Sequence, residues 1–160
     1  MSEPLWYFAY GSNMSRGIFV EQRKILPSAS TWGWLDGWRL CFDLPVGPGE
    51  RGVANVVPEA TARTCGVLHR ITPTEAEHLD RTEGVGGGLY RRVEVVVASA
   101  AGENIGAFLY HSTFSTPGRK PSERYIGLLL DGALEHGLPA EYLEYLRRFD
   151  LAVDERSADK

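Results

Sequence analysis

The chain has 160 residues, 43% hydrophobic and 24% charged, with a formal net charge of −4. Its length suits one domain, taken here as 1–160, with a sizeable core, and its acidic balance speaks against the basic face that nucleic acid requires. No run approaches the roughly 18 apolar residues of a membrane span and no signal-peptide pattern opens the chain, so a cytoplasmic protein is expected.

Residues 6–10, WYFAY, read as a buried strand, because aromatics favour packed pleated surfaces. Gly11 ends it, and Ser12 and Asn13 are turn formers that also bond backbone amides. Residues 15–26 have modest helical character, interrupted by Gly17 and closed by Pro27. WGWLDGWRLCFD (32–43) alternates as a strand or as a hairpin around Asp36-Gly37. Pro and Gly then make 44–52 a loop, and VANVVPE and CGVLHRI read as two strands joined by a turn region at 59–64.

Thr72, Pro73 and Glu75 form a capping-box signature for a helix running to about Glu83, where Gly84 stops it. LYRRVEVVVAS and NIGAFLYHS are strands around the turn Ala101-Gly102-Glu103. Pro117 to Pro121 is a loop. Ser122 caps a helix to about His136, Gly137 ends it, and a shorter helix follows Pro139. The polar residues 151–160 are expected to fray. Six or seven strands, mostly consecutive, with three or four helices indicate an α+β fold built on a curved, largely antiparallel sheet or barrel. Whether the sheet closes is left open.

Much familiar chemistry is missing. The histidines His69, His78, His111 and His136 show no metal-ligand spacing, no GxSxG marks a serine nucleophile, and Cys41 and Cys65 read as reduced core residues. GVGGG (84–88) follows a helix and precedes a strand, the reverse of a phosphate cradle. Two places remain. One is the turn after the first strand, whose amides face whatever lies beyond the strand end; the alternative is that Ser12 or Asn13 only caps a helix. The other is Glu83, which shares a helical face with Ala76 and Leu79. Burial there would raise its pKa and favour proton exchange; otherwise it is a last-turn glutamate in solvent. Glu94 and Asp80 are the next carboxylates.

YFAYGSNM (7–14), LDRTEGVGGGLY (79–90) and PSERYIGLLLDGALEHGLPAEYLEYL (121–146), in this order, resemble the gamma-glutamylcyclotransferases over nearly the whole chain. The resemblance implies a mixed, largely antiparallel barrel or strongly curved sheet with surrounding helices. It implies Glu83 as acid/base and a substrate-binding set of Tyr7, Phe8, Ala9, Tyr10, Gly11, Ser12, Asn13, Tyr90 and Tyr125. The implied reaction closes a gamma-glutamyl group to 5-oxoproline by attack of its own amine, without metal or cofactor. The implied partner is a small gamma-glutamyl compound, with no nucleic acid, no membrane, and a homodimer left open. Asn13 leans toward the branch handling gamma-glutamyl amino acids, while glycines at 86–88 depart from the family by carrying less side chain. A cyclotransferase that deprotects a larger biosynthetic amine, and a non-catalytic binder of acidic metabolites, are the alternatives.

Overall fold

The computed structural model describes residues 3–153. Five strands, β1 (Leu5–Ala9), β2 (Ala29–Pro45), β3 (Gly52–Ile71), β4 (Arg91–Ser99) and β5 (Asn104–His111), close into a barrel in the order β1-β3-β2-β4-β5. All neighbours are antiparallel except β1 and β5, which run parallel and register through Tyr7 and Phe108. The barrel is therefore mixed, as expected, and the sheet does close.

Two expected breaks are absorbed into long strands. The β2–β3 register jumps from Asp36↔Arg63 to Trp38↔Pro58, so the turn region around 59–64 is a bulge within β3 rather than a boundary. Gly37 takes the left-handed conformation that the bulge demands (φ +87°). Pro58, which has no amide hydrogen for a ladder, sits at the jump, where none is required. The six or seven expected strands are thus five, because pairing continues across local turn chemistry.

The region 15–26 also differs from a plain helix. Ser12–Met14 is a single 3₁₀ turn, and Gly17–Gln22 is a π turn, with the Arg23 amide donating to the Ile18 carbonyl at 2.9 Å. Helix α1 (Pro73–Thr82) begins with the expected capping box: Thr72 Oγ1 accepts from the Glu75 amide at 3.1 Å, and the Thr72 amide donates to Glu75 Oε1 at 2.8 Å. It ends at Glu83, with Gly84 left-handed at φ +73°. Helices α2 (Glu123–Glu135) and α3 (Ala140–Arg147) follow.

One apolar cluster joins barrel residues such as Phe8, Leu35, Val56 and Leu109 to Leu79 of α1, Leu129 of α2 and Leu146 of α3. Cys65 is buried, Cys41 half-buried, and both are free thiols, pushed up to about 12 by burial. Residues 151–153 do not fray: the Ala152 amide donates to the Pro121 carbonyl at 2.8 Å, and Val153's to Glu50 Oε1 at 2.7 Å. The rest of the expected tail lies outside the described residues. Among these, no helix is long and apolar enough to cross a membrane.

Candidate active site

Strand β1 delivers Tyr7 and then Tyr10 to one end of the barrel, and the 3₁₀ turn turns the chain at Gly11. Here a cavity of about 230 Å³ is lined by Tyr7, Tyr10, Gly11, Ser12, Asn13, Arg23, Leu44, Val53, Ala54, Thr82, Glu83, Leu89, Tyr90, Tyr110 and Tyr125. The structure therefore brings Glu83 together with Tyr7, Tyr10, Gly11, Ser12, Asn13, Tyr90 and Tyr125. It does not bring Phe8 and Ala9, which are fully buried in the core. Alternation along β1 places Tyr7 at the cavity and Phe8 elsewhere.

Glu83 reaches the cavity because the capped helix fixes the phase of its face, with Ala76 and Leu79 buried below it. Its side chain is 14% exposed. Glu83 Oε2 accepts from Asn13 Nδ2 at 3.3 Å and lies 3.6 Å from Arg23 Nη2. Burial raises the Glu83 carboxyl above its ordinary value, while Arg23 and the Asn13 bond oppose that rise. The same Asn13 amide group donates to Tyr7 Oη at 3.0 Å, and Asn13 Oδ1 accepts from Arg23 Nε at 3.1 Å. Behind the turn, the Asn13 carbonyl accepts from His69 Nε2 at 3.0 Å, so the other ring nitrogen accepts from Ser30 Oγ at 2.9 Å.

The tyrosines form the wall. Burial lifts the phenols of Tyr7, Tyr10 and Tyr90 well above their ordinary range, so they are neutral hydrogen-bonding groups. Tyr90 donates to the Ala54 carbonyl at 3.0 Å, and Tyr10 donates to the Tyr110 carbonyl. Ser122 caps α2 by accepting from the Tyr125 amide at 3.1 Å, which sets Tyr125 in the first turn. The Tyr125 oxygen accepts from the Ala54 amide at 3.1 Å. Burial pushes this phenol up to about 12, with hydrogen bonds from Ala54 and Ser12 holding it back. Donors that occupy the lone pairs leave its own O–H to serve another acceptor.

Gly11 does not need a left-handed backbone, since its φ is −117°. It needs room: a Cβ there would lie 3.1 Å from Ala54 Cβ and 3.2 Å from the Tyr125 oxygen. Sequence reasoning missed Arg23, Ala54 and Tyr110. Arg23 depends on the π turn and Ala54 on strand pairing, and neither leaves a local signal. Tyr110 ends a run of four consecutive buried residues on β5, Ala107, Phe108, Leu109 and Tyr110, and reads as core. The other carboxylates do not line the cavity. Asp80 accepts from Arg92 Nε at 2.8 Å and from Tyr110 Oη at 2.6 Å, and Glu94 lies on another face beside Trp6 and Val96.

Residues 63–146 match the model of the AIG2-like family. A gamma-glutamylcyclotransferase of Bos taurus is 31% identical over 92% of this chain and 80% of its own length. A gamma-glutamyl cyclotransferase of Aspergillus oryzae, aclK, is 30% identical over 89% of this chain; the chain spans 60% of that fungal protein. A solved gamma-glutamyl cyclotransferase superposes with a TM-score of 0.82 at 27% identity, covering 98% of this chain and 97% of its own.

Proposed function

The chain belongs to the gamma-glutamylcyclotransferase family, an enzyme family of AIG2-like fold, and from this membership we propose that it converts gamma-glutamyl amino acids or amines to 5-oxoproline and the free amine. The observation that carries the reading is Glu83: a largely buried carboxyl, bonded to Asn13 of the opening turn, inside a cavity walled by neutral phenols.

The residues divide the work as follows. The substrate is folded so that its alpha-nitrogen faces its gamma-carbonyl, which makes ring closure unimolecular. Glu83 takes a proton from the alpha-ammonium, and the freed amine attacks the gamma-carbon. The carbonyl oxygen gains negative charge and is met by the Tyr125 O–H and by the polar edge of the Gly11–Ser12 turn. Each well-placed donor to such an oxyanion is worth roughly 2.7–4 kcal/mol. When the carbon–nitrogen bond to the leaving group breaks, Glu83 returns the proton to that nitrogen, and the remaining extra proton of the ring nitrogen passes to the released amine, leaving a neutral lactam and an ammonium. The nucleophile belongs to the substrate, so the reaction needs no protein nucleophile, metal or cofactor.

Incubation with a panel of gamma-glutamyl amino acids and gamma-glutamyl amines, followed by chromatographic detection of 5-oxoproline, tests this. We expect stoichiometric release of 5-oxoproline and amine from at least one member. Turnover to free glutamate instead would mean hydrolysis, and the reading would fail.

A further inference from the structure

Arg23 is the one cation among the described residues lining the cavity, and the chain is built unusually to place it there. The segment before it winds as a π turn, Gly17–Gln22, a form that often marks functional positions in helices. The residue after it, Lys24, holds φ at +63°, and no other non-glycine among the described residues has a positive φ. Such a conformation persists only where surrounding structure enforces it. Two contacts hold it: the Ile25 amide donates to the Phe19 carbonyl at 3.2 Å and closes the turn, and His78 Nε2 on α1 donates to the Arg23 carbonyl at 2.8 Å. One helix thus holds the Arg23 main chain through His78 and meets its side chain through Glu83.

At the other end, Arg23 Nε donates to Asn13 Oδ1 at 3.1 Å. That bond settles which way the Asn13 amide faces, because Oδ1 is committed to the guanidinium and Nδ2 is left to serve Glu83 and Tyr7. We propose that Arg23 is a positioning residue for the cyclisation: its guanidinium orients the Asn13 amide toward Glu83 and keeps the Glu83 carboxyl charged and ready to accept the substrate's proton. The proposal rests on the reading of Glu83 as acid/base. The other titratable groups facing Glu83 are phenols: Tyr7 and Tyr10 at the end of β1, Tyr90 before β4, Tyr110 on β5 and Tyr125 on α2. These supply hydrogen bonds and no positive charge, so Arg23 alone opposes the burial of the carboxylate electrostatically.

The sign follows. With the guanidinium gone, only the Asn13 bond still opposes burial and Glu83 keeps its proton to higher pH, so the base form appears later on the alkaline side. In Arg23→Gln the acid limb of kcat/KM should move up by about one pH unit, a shift typical of losing one opposite charge at this range, with KM unchanged. Arg23→Lys should bring the limb back toward the wild-type position but with kcat below wild type, because lysine has no planar fork to hold Asn13 Oδ1. His78→Ala, which leaves every lining residue in place, should move the limb in the same direction by less.

A readout without substrate separates this inference from the reading it builds on. The carboxyl-carbon titration of Glu83, followed by NMR in glutamate-labelled protein and assigned with Glu83→Gln, should move upward in Arg23→Gln whether or not 5-oxoproline is the product. An unmoved Glu83 titration overturns the proposal. So does a raised KM with an unshifted pH profile, which would make Arg23 a substrate-binding group instead.

Discussion

At the scale of the residue, Glu83 combines three conditions that a proton shuttle needs. It is largely withdrawn from water, it retains a hydrogen-bond donor in Asn13, and it has a cation within 4 Å. Burial raises the carboxyl above its ordinary value, and the cation and the Asn13 bond act in the opposite direction. Replacement by glutamine keeps the shape and the Asn13 contact but removes the exchangeable proton. Glu83→Gln should therefore lower kcat and kcat/KM together by about 10²–10⁴-fold, with the thermal midpoint and near-ultraviolet dichroism retained. A variant within a few-fold of wild type would move the acid/base role to another group. This residue was legible in the sequence because a helix with a strong cap has a fixed phase, and phase alone puts position 83 on the side of Ala76 and Leu79. Arg23 was not legible, since the π winding of Gly17–Gln22 that precedes it has no signature in the sequence.

At the scale of the element, the opening turn is held in place by a helix that approaches closer than most helices can. A Cβ on Gly132 of α2 would lie 2.6 Å from Met14 Cβ, 2.7 Å from the Met14 carbonyl carbon and 2.8 Å from the Ser15 nitrogen. Backbone atoms cannot yield cheaply, so Gly132→Ala should push the helix off the turn and displace Asn13. The expected loss is about 1–3 kcal/mol of stability, read by urea unfolding, with a parallel fall in turnover. Gly127→Ala on the same helix is the control, because a Cβ there meets nothing within 4 Å; it should be neutral or stabilising by helix propensity, about 0.5–1 kcal/mol. Equal behaviour of the two variants would remove the close approach as the reason for glycine at 132. Local chemistry made the caps of α1 and α2 readable from Thr72 and Ser122. The lengths of β2 and β3 were not readable, because a bulge and a turn share the same glycines and prolines and only the partner strand distinguishes them.

At the scale of the whole molecule, β3 is the strand on which both the fold and the turn lean. Its His69 pairs with Tyr7 on one side and Ser30 on the other, and its ring stacks on Phe19 with centroids 4.2 Å apart. Burial pushes the imidazole down to about 4 from 6.5. A depressed value means that the neutral ring contributes stability above pH 6.5, and that this contribution drains as the pH falls toward 4. The loss should reach about 3 kcal/mol across that window. His69→Gln, which can still hydrogen-bond but does not titrate, should flatten this part of the unfolding free energy against pH. Superimposable slopes would show that acid sensitivity arises elsewhere. The barrel's closure also passes through the site: the parallel register of β1 with β5 consists of Tyr7 opposite Phe108, whose rings lie 5.4 Å apart. If Glu83 and Tyr7 serve the proposed reaction, Tyr7 answers to two selective pressures and Glu83 to one. In a duplicated gene released from its reaction, position 83 would be free to drift while an aromatic at position 7 would still be kept by the seam. Across descendants of this chain, retention of the tyrosine would trace the architecture, and retention of the glutamate would trace the activity.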